Sequence, residues 1–160
     1  MRRENATYEA GPSFGFDAAP VFSTSGVLTR RLFSYGVDIL VISALVVLFS
    51  ILIGLAGLVT FGLTWALFAI LGPATAIGYG ALTVGGAGQG TVGMRVFGVK
   101  AVDASTGARP GALSAGLHAL LFYLALGMLP LLALDLAIGL GRSDRRLGHD
   151  LLADLAFVRR

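Results

Sequence analysis

Two long stretches of this 160-residue chain hold one formal charge each. Across residues 32–94 the single Asp, Glu, Lys or Arg is Asp38, and across residues 110–141 it is Asp135. The whole chain is 56% hydrophobic and 13% charged, whereas soluble domains carry about 25% charged residues. Uncharged stretches between charged blocks are typical of a chain that alternates between hydrocarbon and water. The composition therefore predicts an integral membrane protein and excludes a disordered chain, which would be polar.

The basic residues form three clusters that flank the apolar stretches. The first ends at Arg30 and Arg31, the second lies in the loop of residues 86–112, and the third comprises the five arginines of residues 142–160. A basic chain is also typical of nucleic-acid binding, but these arginines flank apolar spans as the positive-inside rule describes. We therefore expect the lipid bilayer as a partner and no nucleic acid. The first two clusters predict that the N-terminus and the loop are cytoplasmic.

Three apolar segments, at about residues 32–60, 63–85 and 113–140, are candidate membrane spans, because a helix needs about 20 apolar residues to cross a bilayer. The first two are joined by a short uncharged turn and predict a helical hairpin. The third segment leaves two interpretations open. One simple crossing would place the tail arginines outside, against the positive-inside rule, whereas a kinked or re-entrant segment with a break at residues 127–130 would keep them inside. The predicted fold class is an all-α transmembrane bundle with these three segments.

The segments outside the candidate spans predict smaller elements. Residues 1–26 are polar without a regular period and predict an extended arm, and we expect no cleaved signal peptide because no apolar region precedes the first span. Alternation across residues 95–103 predicts a small β-hairpin or extended loop at the membrane interface. The interfacial tail, residues 142–160, predicts an amphipathic helix on the membrane surface from four residues at near-helical spacing: Leu147, Leu151, Leu155 and Val158.

The two acidic residues within the apolar stretches are the candidate ion sites. Asp38 lies seven residues after Arg31, which is two helical turns and about 10 Å deeper. An unpaired carboxylate in a bilayer costs about 2.5–3.5 kcal/mol, so Asp38 is either protonated or paired with Arg31 or another base. The pair predicts an ion or proton site, or alternatively a structural contact that fixes helix register. For Asp135 we expect an interfacial position, or a position facing Asp38 if the third segment is re-entrant.

Other chemistry has little support in the sequence. The chain has no cysteine and two histidines, His118 and His149, which show no ligand spacing, so we expect no metal site and no cofactor. Residues 88–93 match G-x-G-x-x-G and residues 11–15 match G-x-S-x-G, but neither match has the strand and helix context that its chemistry requires. No nucleophile and base are paired, so we predict no catalytic residue and no enzyme.

Small residues recur every four positions on the second and third segments, which allows helices in lipid to approach closely. Such stripes pack either within one chain or against another subunit. Because the chain has few helices, we expect one stripe to meet another subunit, and a homo-oligomer is also consistent. The predicted packing interface comprises Gly72, Ala76 and Gly80 on the second segment and Ala115 on the third.

Three motifs together resemble the RDD family of small polytopic bacterial membrane proteins, which is named for one arginine and two aspartates. Arg31 and Asp38 resemble its first-helix signature, residues 90–102 resemble its loop, and residues 147–153 resemble its closing segment, with Asp150 as the second aspartate. The resemblance covers about residues 27–158. It implies a multi-pass protein of the bacterial inner membrane, a third crossing, and Arg31, Asp38 and Asp150 as an intramembrane charge pair or ion site.

The resemblance leaves two functions open. The favoured one is an accessory or assembly subunit of a larger membrane complex, which suits the small size and the small-residue stripes. The alternative is a cation/proton transporter that acts as a homo-oligomer with Asp38 as its ion or proton site, because some members of the family are linked to cation/proton exchange. Three spans are too few to enclose a site at the membrane midplane in one copy.

Overall fold

The first half of the chain forms a long helical hairpin. The computed structural model describes residues 26–160, so the arm expected for residues 1–26 lies outside the described part except for its last residue. Helix α1 (Val27–Val59) has 33 residues and is about 50 Å long. A turn, a short 3-10 helix (Leu63–Leu67) and helix α2 (Phe68–Val84) follow. Helix α1 and the segment Leu63–Val84 are the two described helices long and apolar enough to cross a membrane.

The third apolar segment is broken rather than continuous. Helix α4 (Ala112–Gly127) and helix α5 (Leu129–Gly141) are separated by Met128, whose extended backbone (φ −129°, ψ 103°) ends the first helix. With 16 and 13 residues, each arm is shorter than the roughly 20 residues that a crossing requires. The prediction of three spans is therefore not confirmed, and the segment has the kink that the alternative interpretation contained.

The start of α4 and the end of α5 contact the same part of the C-terminal segment. Near the start of α4, the Ser114 hydroxyl donates a hydrogen bond to the Ala153 carbonyl. Near the end of α5, Gly139 lies directly against the Leu147 side chain. Because both ends contact one short C-terminal segment, α4 and α5 form a second hairpin with its ends on one face.

A small sheet joins the loop to the C-terminal tail. After the short helix α3 (Val92–Val96), strand β1 (Val99–Asp103) pairs antiparallel with strand β2 (Leu155–Arg159), with Ala101 opposite Phe157. The strand expected in the loop is present, but its partner is the tail rather than a neighbouring hairpin strand.

The prediction of one amphipathic tail helix is wrong. Helix α6 ends after one turn (Gly148–Leu152), and the chain reverses at Asp154, which has a positive φ of 50°. In β2, Leu155 and Phe157 pack into one apolar cluster and Ala156 and Val158 into another. Since both faces of the segment are covered, a strand buries all four residues, whereas a surface helix would have left one side exposed.

The small-residue stripes of α2 and α4 pack against each other. Gly80 lies against Ala119, and Gly116 lies against Ala81. Ala76 and Ala115, which the sequence placed in the packing interface, are buried within the chain. The expectation that one stripe meets another subunit therefore fails for these residues, because the two stripes satisfy each other. Among the four residues of the predicted packing interface, Gly72 is the one with open space beside it.

We predict that Gly80→Leu lowers stability while Gly72→Leu does not. A side chain at Gly80 meets the Ala119 methyl group, since a Cβ there lies 2.9 Å from it, and such overpacking costs about 1–3 kcal/mol. Thermal unfolding of both variants in the same detergent measures the difference. Equal melting temperatures for the two variants would contradict the packing of α2 on α4.

We predict that both hairpins open towards the same side of the membrane. The chain has no cysteine, so Phe61→Cys, Ala108→Cys and Ser143→Cys each introduce one thiol at an exposed position. A membrane-impermeant maleimide should label residues 108 and 143 from one side and residue 61 from the other. Labelling of residue 143 together with residue 61 would indicate a complete third crossing.

Candidate functional site

Asp38 is the centre of one buried polar cluster. Its side chain accepts hydrogen bonds from the Tyr79 hydroxyl (2.7 Å), the Thr91 hydroxyl (2.6 Å) and the Gly93 backbone N–H (2.8 Å). These donors come from α2, from the residue before α3 and from α3 itself. We call Asp38, Tyr79, Thr91 and Gly93 the Asp38 cluster. It holds α3 against α1, and Asp38 has these partners rather than Arg31, which is one of the alternatives that the sequence leaves open.

The close approach of α3 to α1 explains the last glycine of the G-x-G-x-x-G match. A methyl group at Gly93 would overlap the Ser34 carbonyl oxygen and would lie 2.9 Å from Asp38 Oδ2. The Thr91 hydroxyl also accepts a hydrogen bond from the Met94 backbone N–H (3.1 Å) and so caps the first turn of α3. These residues serve the packing of a short helix against α1.

Arg31 and Asp150 form a buried bidentate ion pair. The Arg31 guanidinium donates to Asp150 Oδ2 at 2.5 Å and to Oδ1 at 2.9 Å, and its carbon lies 4.0 Å from the centre of the Phe157 ring. The carboxylate also accepts the Leu147 backbone N–H (2.9 Å). Burial alone would raise the pKa of Asp150, but Arg31 and His118 outweigh it and hold that pKa well below its usual range.

Both histidines contact this ion pair. His118 Nε2 lies 3.0 Å from Asp150 Oδ1, and His149 Nε2 lies 3.3 Å from the same oxygen. On its other side, His149 Nδ1 lies 2.8 Å from Asp135 Oδ2, and the His149 backbone N–H donates to Asp135 Oδ1 at 2.9 Å. We call Arg31, His118, Asp135, His149 and Asp150 the Asp150 cluster.

The position of Asp135 corrects a further prediction. Asp135 is buried, with 7% of its surface exposed, so its side chain is enclosed by protein, whereas an interfacial residue would be exposed to lipid headgroups. It does not face Asp38 either, because its carboxylate binds His149. The return of α5 towards the C-terminal segment carries the side chain inward.

The hydrogen bonds of His149 determine where its lone pair points. Asp135 is a carboxylate and accepts the Nδ1 proton, so in the neutral imidazole the Nε2 lone pair faces the Asp150 carboxylate. Burial lowers the pKa of His149 despite the neighbouring Asp150 carboxylate, which favours this neutral form. The Arg31 Nη2 donor lies 3.5 Å from the same Nε2, and Asp150 Oδ1 lies 3.3 Å from it.

A cavity of about 470 Å³ lies between α1, α2 and α4. Its wall includes Asp38 and Tyr79 from the Asp38 cluster and Arg31, His118 and His149 from the Asp150 cluster. Most of the remaining lining residues are apolar. The two clusters thus share one cavity, although Arg31 and Asp38 are not in contact with each other.

Arg31, Asp38 and Asp150, which the sequence predicts as site residues, all lie in the two clusters. The expectation of no metal site rests on the absence of cysteine and of a ligand spacing around the two histidines. His118, His149 and Asp150 offer ligand atoms that lie within 4.8 Å of one another. No local pattern signals this group, because 31 residues separate the two histidines.

Two apolar hairpins and a buried charge cluster define a small polytopic membrane protein. The family model described as the RDD family matches residues 26–154, which include Arg31, Asp38 and Asp150. The chain therefore belongs to the RDD family, and the resemblance seen in the sequence is confirmed. No curated protein and no solved structure matches the chain significantly.

We predict that Asp150→Asn strongly destabilises the protein. The substitution leaves the Arg31 side chain, which is 11% exposed, without a charged partner, and breaking a buried pair in this way costs about 3–5 kcal/mol. Thermal unfolding in detergent measures the loss. The matched control is Asp144→Asn, because Asp144 pairs with Arg142 at the exposed surface. Similar melting temperatures for the two variants would contradict a large contribution of the buried pair to stability.

Proposed function

We propose that this RDD protein is a membrane transporter that binds a cation in the Asp150 cluster. The observation that carries the proposal is the charge of that cluster. Arg31 contributes one positive charge and Asp135 and Asp150 contribute two negative charges, so with neutral imidazoles the sum is +1 − 2 = −1. An uncompensated buried charge costs several kcal/mol, and a bound cation would remove that cost.

The cavity beside the Asp150 cluster supports the binding of a cation there. Arg31, His118 and His149 form part of its wall, so a cation in the cavity reaches the Asp150 cluster without displacing a helix. Asp38 adds a further acidic side chain to the same wall. The negative groups on and behind this wall favour a positively charged ligand over an anion.

Asp38 has a different role in this proposal from the one that the sequence suggested. Its two oxygens already accept three hydrogen bonds, from Tyr79, Thr91 and Gly93. Its neighbours in the Asp38 cluster all donate hydrogen bonds to it, whereas the Asp150 cluster also contains a second carboxylate, Asp135, and two imidazoles. We therefore assign to Asp38 the positioning of α3 and of the cavity wall, and to the Asp150 cluster the binding of the ion.

We further propose that the transporter acts as a homo-oligomer in a bacterial inner membrane, with a cytoplasmic N-terminus. Residues 26–160 of one copy contain two helices long enough to cross, which is too few to enclose a transport path. The most apolar part of α1 has no buried residue within the chain, so this face is free to contact lipid or a second copy. The basic loop and tail lie beside the start of α1, as the positive-inside rule requires of a cytoplasmic face.

One argument for the alternative function, an accessory subunit of a larger complex, is weakened by the packing of the small-residue stripes. Ala76, Gly80 and Ala115 are used for packing within the chain and do not form a free docking stripe. The alternative is tested by the mass and composition of the particle extracted from native membranes in mild detergent. Foreign subunits in a fixed ratio would support the accessory function, whereas copies of this chain alone support the transporter.

We predict cation-driven flux in liposomes that contain the purified protein. Indicators for pH and for the cation are enclosed, and Na⁺, K⁺ and Zn²⁺ gradients are imposed in turn. His118→Gln should reduce the flux at least tenfold, because it removes an imidazole while its amide still donates to Asp150. Asp144→Asn is the control and should transport like the wild type. Absence of flux for every ion would overturn the proposal.

The same assay separates the two acidic sites. If the ion binds in the Asp150 cluster, Asp38→Asn should retain flux in proportion to the folded protein that remains, since an asparagine oxygen still accepts the Gly93 N–H. Complete loss of flux with an unchanged melting temperature would instead identify Asp38 as the ion site.

A further inference from the structure

We propose that His118, His149 and Asp150 form a binding site for a divalent transition-metal ion of the Zn²⁺ or Co²⁺ type. The inference rests on the proposed function and names the class of its cation. The site draws on α4 and α6, and both histidines line the cavity.

The spacing of the donor atoms fits one ion. His118 Nε2 and His149 Nε2 lie 3.0 and 3.3 Å from Asp150 Oδ1, and all three ligand atoms lie within 4.8 Å of one another. Two ligands held about 2.0–2.1 Å from a tetrahedral ion are about 3.3–3.4 Å apart. To bind all three atoms, the most distant pair would have to approach by up to about 1.5 Å, and His118 would carry its proton on Nδ1 rather than on Nε2. The cavity leaves space for a water molecule or substrate as the fourth ligand.

Asp135 supplies a second observation that points to a metal. It holds His149 Nδ1 at 2.8 Å and the His149 backbone N–H at 2.9 Å. A carboxylate that accepts the Nδ1 proton orients the Nε2 lone pair and raises its basicity, and this arrangement is common behind metal-binding histidines. In this structure Arg31 Nη2 lies 3.5 Å from that Nε2 and 2.9 Å from Asp150 Oδ1, so a metal ion at these two atoms would take the place of this guanidinium nitrogen. Asp135 is thus a positioning residue for His149.

The donor types select among cations. Alkali and alkaline-earth ions prefer six or more oxygen ligands, whereas two imidazole nitrogens and one carboxylate oxygen suit Zn²⁺, Co²⁺ and similar ions. A divalent ion would change the charge of the cluster from −1 to +1, so the selection among cations rests on the donor types rather than on charge. We therefore infer a transition metal rather than Na⁺ or K⁺.

Arg31 adjusts the strength of this site. Its Nη1 bonds Asp150 Oδ2 and its Nη2 bonds Oδ1, and an ion at Oδ1 must take over the second bond. The remaining bond keeps Asp150 in place, while the positive guanidinium lowers the affinity for a cation. A site of moderate affinity releases its ion, as transport requires.

The test is metal binding to the full-length protein in detergent. The chain is purified with an affinity tag that contains no histidine, stripped with chelator and equilibrated with Zn²⁺ for elemental analysis or with Co²⁺ for visible absorption. We expect one ion per chain and a Co²⁺ spectrum of four-coordinate type, abolished by His118→Gln combined with His149→Gln. Asp144→Asn is the control and should bind like the wild type. Asp135→Asn should weaken binding about 10–100-fold and shift the Co²⁺ spectrum, which a purely structural role would not do.

The outcomes separate this inference from the proposed function. No stoichiometric binding by a wild-type protein that unfolds cooperatively overturns the metal site, and so does full binding by a double variant with the wild-type melting temperature. Na⁺ or K⁺ flux without Zn²⁺ binding overturns the metal site and supports the transporter. Zn²⁺ binding lost in the double variant, with no flux of any ion, supports the metal site and overturns the transporter.

Discussion

The buried ion pair between Arg31 and Asp150 joins the first helix to the C-terminal segment, and the polar layer of the structure depends on it. Removing two charges from water is costly, and the cost is offset only where geometry is good and the remaining hydrogen bonds are made. Here the pair is bidentate, and Asp150 also binds a backbone N–H and His118. The Phe157 ring lies against the guanidinium, so β2 is held beside α1. Strand β1 then pairs with β2 and brings the loop into the same layer.

The helical hairpin of α1 and α2 was predictable from local sequence, whereas the partners of the buried charges were not. Hydropathy identified both helices, because the length of an apolar stretch is a local property. It was also correct that Asp38 needs a partner. However, Arg31 lies about 10 Å away along the same helix. The actual donors are Tyr79, Thr91 and Gly93, which follow Asp38 by 41, 53 and 55 positions in the chain. Hydroxyl and backbone donors carry no charge signature, so single-sequence patterns do not reveal them.

The tail shows a second limit of periodicity. Its apolar residues recur at near-helical spacing, yet only Gly148–Leu152 is helical and Leu155–Arg159 is a strand. Helical spacing predicts a helix when one face is buried and the other is solvated. In β2 both faces are covered by distant parts of the chain, among them Val27 and Val84 on one face and Val102 on the other. The small-residue stripes failed for a related reason: a stripe identifies a close-packing face, but it does not say whether the partner is the same chain or another.

The break at Met128 is a condition for the Asp150 cluster rather than an interruption of a membrane span. Asp135 follows His118 by 17 residues, so in one continuous helix the two would be about 26 Å apart. In the observed hairpin they lie on either side of His149, which contacts His118 at a ring separation of 4.7 Å and binds Asp135 directly. The same break shortens both arms below the length of a crossing. The charge cluster and the returning hairpin are therefore two consequences of one extended residue, and a straight third span would not place Asp135 behind His149.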